Sequence, residues 1–411
     1  MNLMNQPESL AALAGPKCLY VDSSALEHNA REVKKALGPL VKLLAVVKGD
    51  GYGVGGVEAA RIFASAGADY LGVSSVQEGV ELRKAGIRAP VLVMNPILRE
   101  ECVAAIEHDL EITVASRQGV FDVADASRRV GRTARIHLEI ETGLGRTGLP
   151  AGEVPAILDE LRSCEGVHLC GIFTHMGEGH RDESSFRQFA RFQAALRHVP
   201  RGLVRHVSNS AAFLKFPDMR LDMVRIGTLL YGQLPFGIRH TTLSLKNVWD
   251  FRARVLFIHD VGPGDTIGYG GDYLVKRPMK IAVVSAGYSD GFGLTAVSRP
   301  KDLSDLARYI VKMVLSYLGK GRGEGGAVRF ECGVAPVVGR IGMQLTMVDV
   351  TGLPVSVGDE ASVSIRPTAG ARLPRVYLRD GVPYLIRMPW GEMRPVEFGK
   401  SAGYTGREVQ K

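Results

Sequence analysis

The chain has 411 residues, of which 45% are apolar and 23% charged, as in soluble globular proteins. This length exceeds one ordinary hydrophobic core, so we expect two domains. The net charge of +8 is spread along the sequence rather than gathered into a basic, aromatic-rich stripe, which argues against nucleic acid as a partner.

No apolar run reaches the length of a membrane span, and Met1 to Leu10 lack the basic and apolar regions of an export signal. We therefore expect no membrane association and a cytoplasmic location. The five cysteines are an odd number without CxxC spacing. They predict neither a disulfide framework nor a metal site.

From residue 42 to residue 235, short apolar runs alternate with amphipathic stretches. The runs are Lys42 to Val47, Asp69 to Val73, Pro90 to Val93, Glu111 to Val114, Arg135 to Ile140, His168 to Phe173, Leu203 to Val207 and Met223 to Arg225. Such alternation is typical of βα units around a parallel sheet, and eight units predict an α/β fold, a (β/α)8 barrel over residues 13–238.

After residue 240 the pattern becomes rich in β segments. We predict strands at Trp249 to His259, Lys280 to Ser285, Pro336 to Ile341, Thr346 to Val350 and Ala361 to Ile365, and a helix at Asp302 to Leu318. The sequence therefore predicts a second, mainly β domain over residues 239–411. Its glycine-rich stretch from Gly319 to Gly326 is expected to be a mobile loop.

Lys48 ends the first apolar run and opens a glycine-rich turn, Gly49 to Gly53. An ammonium group at the end of a buried strand can have its pKa lowered enough to act as a nucleophile or base. The alternative is an ordinary surface lysine after a strand.

Other polar residues also follow the predicted barrel strands, and the carboxyl ends of barrel strands form one rim where active sites lie. They are Tyr52, Arg146, His175, Asn209, Ser210, Arg225, Gly227 and Thr228. Ser210 begins a predicted helix, and Gly227 and Thr228 add backbone NH groups, so this part of the rim suits a phosphate. Each could singly be a helix cap; together with Lys48 they indicate a phosphorylated aldehyde cofactor.

The chain resembles the bacterial alanine racemases over residues 18–376 through a series of motifs in the same order. The motifs are AVVKGDGYG (45–53), ETGLGRTG (141–148), TH (174–175), SNSAA (208–212), MVRIG (223–227), YG (231–232), GYGG (268–271), GYSDG (287–291) and VGRIGM (338–343). So many ordered motifs make the resemblance specific.

The resemblance implies an amino-terminal barrel, pyridoxal 5′-phosphate bound to Lys48, and a homodimer in which each active site borrows Tyr269 from the other subunit. Racemisation removes the α proton from one face and returns a proton on the other, so two bases are needed. Lys48 and Tyr269 are the predicted pair. Because a phenol is a weak base near neutral pH, Tyr269 needs support, for which His175 and Arg225 are the candidates.

The resemblance also assigns binding roles. Tyr52, Ser210, Gly227 and Thr228 would hold the phosphate, Asn209 lies beside them, and Arg225 would face the pyridine nitrogen. Arg225 could instead be an arginine in a surface ion pair. Arg146 and the backbone NH of Met343 would bind the substrate carboxylate, with Tyr288 at the entrance; Met343 could instead be a core residue.

Four positions depart from the family. Glu139 replaces a lysine that is carbamylated in many members, and we predict that its carboxylate pairs directly with Arg146. Ala371 replaces a tyrosine that narrows the pocket, Leu294 an arginine, and Gln344 an aspartate. A wider pocket mouth predicts that amino acids larger than alanine are accepted as well.

The sequence thus predicts a pyridoxal phosphate-dependent racemase that interconverts L- and D-alanine. The alternatives are a serine or broad-specificity amino-acid racemase, a lyase on the same fold, and a cofactor-binding regulator without turnover. Retention of Lys48, Arg225 and Tyr269 favours a racemase over the other two classes.

Overall fold

The computed structural model describes residues 13–294, 303–317 and 326–396. The chain divides into two compact units, residues 23–248 and the remainder, which joins residues up to Asp22 with those from Trp249 onward. The first described strand, β1 (Lys17–Asp22), lies in the second unit because it pairs with strands there. The sequence prediction of domains at 13–238 and 239–411 had placed this segment with the barrel.

The unit of residues 23–248 contains a closed ring of eight parallel strands, which confirms the predicted barrel. Its strands are β2 (Lys42–Val46), β3 (Tyr70–Val73), β4 (Val91–Pro96), β5 (Glu111–Val114), β6 (Ala134–Glu141), β8 (Val167–Phe173), β9 (Val204–His206) and β10 (Met223–Ile226). The short β7 (Leu149–Pro150) pairs with β6, and β5 pairs with β6 to close the ring. The strands are largely buried and mostly apolar, as expected for strands covered on both faces, but β5, β6, β9 and β10 also bury polar or charged side chains.

Helices follow most of the barrel strands. They are α1 (Ser23–Leu37), α2 (Gly56–Ser65), α3 (Val76–Lys84), α4 (Cys102–Glu107), α5 (Arg117–Val130), α6 (Val154–Ser163), α7 (Asp182–Leu196) and α8 (Ser210–Lys215). Each buries one apolar face; α5, for example, buries Val120, Val123 and Ala124. The ring therefore gathers its strand-to-helix turns at one rim.

The second unit is mainly β, as predicted, with ten strands in its main sheet. Its strands from Trp249 onward are β11 (Trp249–Val261), β12 (Thr266–Ile267), β13 (Tyr273–Leu274), β14 (Met279–Val284), β15 (Ala327–Phe330), β16 (Gly333–Pro336), β17 (Thr346–Asp349), β18 (Glu360–Val363), β19 (Arg375–Arg379), β20 (Val382–Arg387) and β21 (Met393–Pro395). In the middle of the sheet, β1 runs antiparallel to β11 and parallel to β19.

One feature of the second unit differs from the sequence predictions. Of the strand predicted at Pro336 to Ile341, only Pro336 lies in a strand, at the end of β16, and Val337 forms an isolated bridge, because Gly339 takes a left-handed φ of 68° that ends the extended chain. The predicted helix is present as α9 (Leu303–Tyr317). Most of the predicted loop at Gly319 to Gly326 lies outside the described residues.

Candidate active site

Lys48 stands where β2 gives way to a left-handed turn. Gly49, Asp50, Gly51 and Tyr52 have positive φ angles of 63°, 50°, 62° and 55° in succession. Glycine adopts this conformation without steric cost, which explains the glycine-rich motif. The turn is held by the Gly51 NH on the Val47 carbonyl at 2.8 Å and by the Gly49 NH on the carboxylate of Glu78 at 2.6 Å.

The surroundings of Lys48 favour its neutral amine. Partial burial lowers the pKa of its ammonium group, and the nearby guanidinium of Arg146 lowers it further, while Glu78 acts in the opposite direction. A neutral amine carries the lone pair that nucleophilic attack and proton abstraction need. This environment agrees with the sequence-based interpretation of Lys48 and distinguishes it from an ordinary surface lysine.

Tyr52 reaches the turn after β10 only because residue 227 is glycine. A Cβ at Gly227 would lie 2.2 Å from the Tyr52 hydroxyl oxygen, well inside contact distance. The Tyr52 ring stacks on buried Tyr231 with 4.6 Å between centroids, and burial raises the pKa of Tyr52 to about 12. Tyr52 is therefore a fixed, neutral hydroxyl that can donate a hydrogen bond beside the Gly227 backbone.

The start of α8 adds polar groups to the same turn. Asn209 caps the helix: its Oδ1 accepts from the NH groups of Ala211 and Ala212, both at 3.1 Å. The Ser210 hydroxyl accepts from the Gly227 NH at 3.2 Å. The Thr228 hydroxyl is buried and has no hydrogen-bond partner among the described residues. A buried hydroxyl without a partner indicates a missing polar ligand.

These groups line one cavity of about 300 Å³ on the barrel rim, together with Lys48, His175 and Arg225. Its walls carry an amine, hydroxyls, glycine backbone and a guanidinium. Arg146 is exposed on the loop after β6 and is not among the cavity-lining residues, although its charge acts on Lys48 and His175. The structure thus brings together every predicted cofactor-binding residue.

Arg225 is buried within the barrel, and both of its terminal nitrogens donate hydrogen bonds. Its Nη2 donates to the Thr174 carbonyl at 2.7 Å, and its Nη1 donates to the carbonyl and to Nδ1 of His206 at 3.0 and 2.9 Å. Burial lowers the pKa of Arg225 to about 10, so the group remains cationic near neutral pH. Among the described residues no hydrogen bond uses its Nε, so that NH is available to a ligand. Arg225 is thus not part of a surface ion pair.

His175 follows β8 and lies 3.4 Å through its Nδ1 from Nη2 of Arg225. Burial and the positive charges of Arg225, Arg146 and Lys48 lower its pKa to about 3. His175 is therefore a neutral imidazole, which can accept or donate one hydrogen bond but carries no charge near neutral pH.

Glu139, on β6, is 2% exposed, and burial raises the pKa of its carboxyl group. It forms a hydrogen bond with Thr147 and senses Arg146 and Arg225 through space, while its Oε2 has no hydrogen-bond partner among the described residues. Among the described residues no ion pair joins Glu139 to Arg146, although the charge of Arg146 acts on Glu139; the direct pair predicted from the sequence remains a prediction.

The predicted site residues of the second unit lie on turns and are open to solvent in the single chain. Tyr269 is 81% exposed between Gly268 and Gly270, whose φ angles are 87° and 73°. The turns of Tyr288 and Met343 lie side by side: the Tyr288 NH donates to the Gly342 carbonyl at 2.9 Å. The remaining predicted positions are partly or well exposed, at Leu294, Gln344 and Ala371.

Sequence reasoning missed the residues behind Arg225. His206 and His137 are fully buried in the barrel, and their rings approach to 2.9 Å. In the sequence, each appears only as one histidine at an inward position of a predicted apolar strand. Tyr231 was quoted within a motif, but its stacking on Tyr52 was not foreseen.

Within the described ranges, no three His, Cys, Asp or Glu side chains are grouped as metal ligands. No helix in the same ranges combines the length and hydrophobicity needed to cross a membrane.

Comparison with known proteins identifies both units. Residues 21–235 match the family described as alanine racemase, N-terminal domain, and residues 248–372 match alanine racemase, C-terminal domain. An alanine racemase of Oceanobacillus iheyensis is 36% identical over 355 residues, covering 84% of this chain and 87% of its own length. One of Syntrophobacter fumaroxidans is 33% identical, covering 84% and 86%.

Solved structures give the same result. Alanine racemase of Clostridium difficile 630 has a TM-score of 0.80 and 27% identity, covering 91% of this chain and 98% of its own. An alanine racemase from D-cycloserine-producing Streptomyces lavendulae has a TM-score of 0.75 and 29% identity, covering 88% and 97%. The chain belongs to the alanine racemase family, whose members depend on pyridoxal 5′-phosphate.

Proposed function

We propose that this protein racemises alanine with Lys48 and Tyr269 as opposed bases. The observation that carries the proposal is the cavity in which a lysine of lowered pKa faces the same space as Arg225 and a Thr228 hydroxyl that has no hydrogen-bond partner among the described residues. Family membership supplies the reaction class.

The residues of the cavity fit pyridoxal 5′-phosphate. Thr228, Ser210, Tyr52 and the backbone of Gly227 supply hydroxyl and NH groups suited to the phosphate, and the partnerless Thr228 hydroxyl supports this assignment. Arg225 would place its Nε–H at the pyridine nitrogen. When bound, this cofactor draws electrons from the α carbon of an attached amino acid and so weakens the α C–H bond.

The protein's own groups then handle the proton. Lys48 Nζ serves one face of the α carbon and the Tyr269 hydroxyl the other, so a proton removed at one face is replaced at the opposite face. We propose that the protein is a homodimer and that Tyr269 serves the partner subunit's site. The exposure of Tyr269 in the single chain supports this assignment.

Arg225 limits how strongly a bound cofactor can withdraw electrons from the substrate. A guanidinium does not give up its proton near neutral pH, so Arg225 would leave the pyridine nitrogen of a bound cofactor unprotonated and would thereby weaken its electron withdrawal. Proton return at the α carbon is thereby favoured over side reactions. His175, next to Arg225, has a pKa of about 3 and therefore stays neutral near neutral pH. It does not take up the proton that Lys48 or Tyr269 removes from the substrate.

The substrate is bound through its carboxylate, for which we propose Arg146 and the Met343 backbone NH. Glu139 adds an acceptor beside Arg146 and can orient the guanidinium once substrate is present. Ala371 leaves space that a tyrosine would fill, so we propose that serine and larger amino acids are also racemised. Ala371→Tyr should lower kcat/KM for these substrates relative to alanine by about 10-fold or more.

The decisive experiment is α-proton exchange in deuterated water with L-alanine, D-alanine, L-serine, L-lysine and L-glutamate, followed by NMR and chiral chromatography. A racemase replaces the α proton and forms the enantiomer. Decarboxylation or retro-aldol cleavage would identify a lyase instead. Cofactor binding without exchange would identify a regulator, and activity confined to alanine would contradict the wider substrate range.

A further inference from the structure

A hydrogen-bonded chain crosses the interior of the barrel behind Arg225. Nη1 of Arg225 lies 2.9 Å from Nδ1 of His206, and the other ring nitrogen of His206 lies 2.9 Å from Nδ1 of His137. Nε2 of His137 lies 2.8 Å from Oε2 of Glu111. The four residues come from β10, β9, β6 and β5.

All four side chains are shielded from water. His137 and His206 are 0% exposed, Glu111 3% and Arg225 4%. Burying two imidazoles and a charged group at each end is costly unless every polar atom is paired. Within this chain of hydrogen bonds, each ring nitrogen of His206 and His137 has one partner within hydrogen-bond distance, which offsets the cost of burying the two imidazoles.

Neighbouring strands make room for these rings. A Cβ at Gly171, on β8, would lie 2.5 Å from Nδ1 of His137, so glycine there is required for the ring to occupy its place. The Phe173 ring stacks on His206 at 4.8 Å between centroids and contacts the Arg225 guanidinium at 5.0 Å. The arrangement is therefore built into the packing of the barrel.

Only one assignment of donors and acceptors fits this chain of hydrogen bonds. A guanidinium has no acceptor atom, so Nδ1 of His206 must accept, and its proton must lie on Nε2. That Nε2–H donates to His137 Nδ1, which leaves the proton of His137 on Nε2, and this N–H donates to Glu111. Any imidazolium or any reversed tautomer would set two N–H groups against each other at one of the links.

We propose that Glu111 and His137 are positioning residues for the racemase site. Resting on the proposed function, the inference is that the Glu111 carboxylate, acting through His137 and His206, locks the Arg225 guanidinium in the orientation that presents its Nε–H to the cofactor ring. Glu111 is held in turn by Arg135, whose Nε lies 3.3 Å from its Oε1.

The first test reads the tautomers directly in the unmodified holoenzyme. With 15N-labelled histidine, NMR should show both His206 and His137 neutral, with hydrogen on Nε2 and none on Nδ1; His137→Gln identifies the His137 signals by their loss. Hydrogen on Nδ1 of either ring would overturn the proposal. This measurement needs no substrate, so it stands whether or not alanine is turned over.

The second test is Glu111→Gln, which keeps the size of the side chain but removes its charge. We expect kcat for alanine to fall by about 10-fold or more, the typical effect of losing a charge-assisted hydrogen bond, with KM within about 2-fold. The visible absorption of bound cofactor should shift, because the ring nitrogen loses a fixed donor.

The matched control is Asp222→Asn, which removes another carboxylate of the barrel unit, paired with Arg205 at 2.7 Å outside the chain of hydrogen bonds. It should leave kcat and the visible spectrum unchanged. A folded Glu111→Gln protein with wild-type kcat and spectrum would refute the positioning role. If alanine is not a substrate at all, both proteins and the wild type will be equally inactive, which separates failure of the proposed function from failure of this inference.

Discussion

The predicted site residues of the barrel unit and those of the second unit are held in different ways. In the barrel unit, Lys48, Arg225 and Ser210 are buried or half-buried and fixed by packing or hydrogen bonds. In the second unit, Tyr269 and Met343 are 81% and 59% exposed on turns. Groups that set the electronic properties of a cofactor need a fixed environment, whereas groups offered to another subunit must stay accessible.

Among the substitutions that test this difference between the units, the one at Lys48 should have the largest effect on activity. Lys48→Ala should reduce α-proton exchange by about 10⁴-fold or more, since it removes the residue proposed both to anchor the cofactor and to act as one base. The matched control is Lys42→Ala, which removes an exposed lysine at the other end of the same strand. Substantial exchange in Lys48→Ala, measured by NMR in deuterated water, would contradict the assignment.

Tyr269→Phe tests whether an exposed residue of the second unit is catalytic. We expect racemisation to fall by about 10²- to 10⁴-fold because one of the two proposed bases is lost, with the effect on α-proton exchange larger for one enantiomer than for the other. Tyr273→Phe is the control, because its hydroxyl contacts the Met279 sulfur at 3.6 Å within the second unit. Equal activity of both variants would exclude Tyr269 as a base.

Gly227→Ala tests the fixed part of the site. Its Cβ would lie 2.2 Å from the Tyr52 hydroxyl, so Tyr52 must move and the phosphate-binding turn must change. Overpacking of this kind should weaken pyridoxal 5′-phosphate binding by about 10- to 100-fold in an equilibrium titration. Gly152→Ala, with no atom within 4 Å of its added Cβ, should bind normally. Normal binding by Gly227→Ala would contradict the proposed cradle.

The smallest effect is on stability. The pKa of His175 is lowered to about 3 and that of His206 lies well below 6.5, so below pH 6.5 the unfolded chain takes up protons that the native barrel does not. Stability should therefore fall as pH decreases from about 6.5 towards 3, by up to about 1.4 kcal/mol per pH unit for each histidine. Glu139, whose carboxyl pKa is raised, acts in the opposite direction but is a single group.

Melting temperatures measured between pH 7.5 and 4.5 would test this expectation. His175→Gln should flatten the dependence by removing one of the two contributions. An unchanged slope in that variant would show that His175 does not titrate as its environment predicts.

The barrel was predictable from the sequence because its eight buried strands are separate apolar runs with helical periodicity between them. The grouping of the cavity-lining residues was predictable because each follows a barrel strand, whereas their proposed roles toward the cofactor came from the resemblance to the alanine racemases. The hydrogen-bonded chain to Glu111 was not, because each link joins residues at least 19 positions apart and depends on which strand lies opposite. The position of Thr147 against Glu139 likewise depends on loop geometry that no periodicity encodes.

The central place of β1 in the second sheet has a consequence for folding. Leu19 pairs with Arg375 and Phe251, so the strand synthesised earliest among those described must wait for segments made hundreds of residues later. Pairing over such sequence separation is slow, because a long loop must close before any contact forms. During synthesis, β1 would present unpaired edges while residues 23–248 complete their own core. Assembly of the second sheet around β1 is therefore expected to be the late, slow phase of refolding.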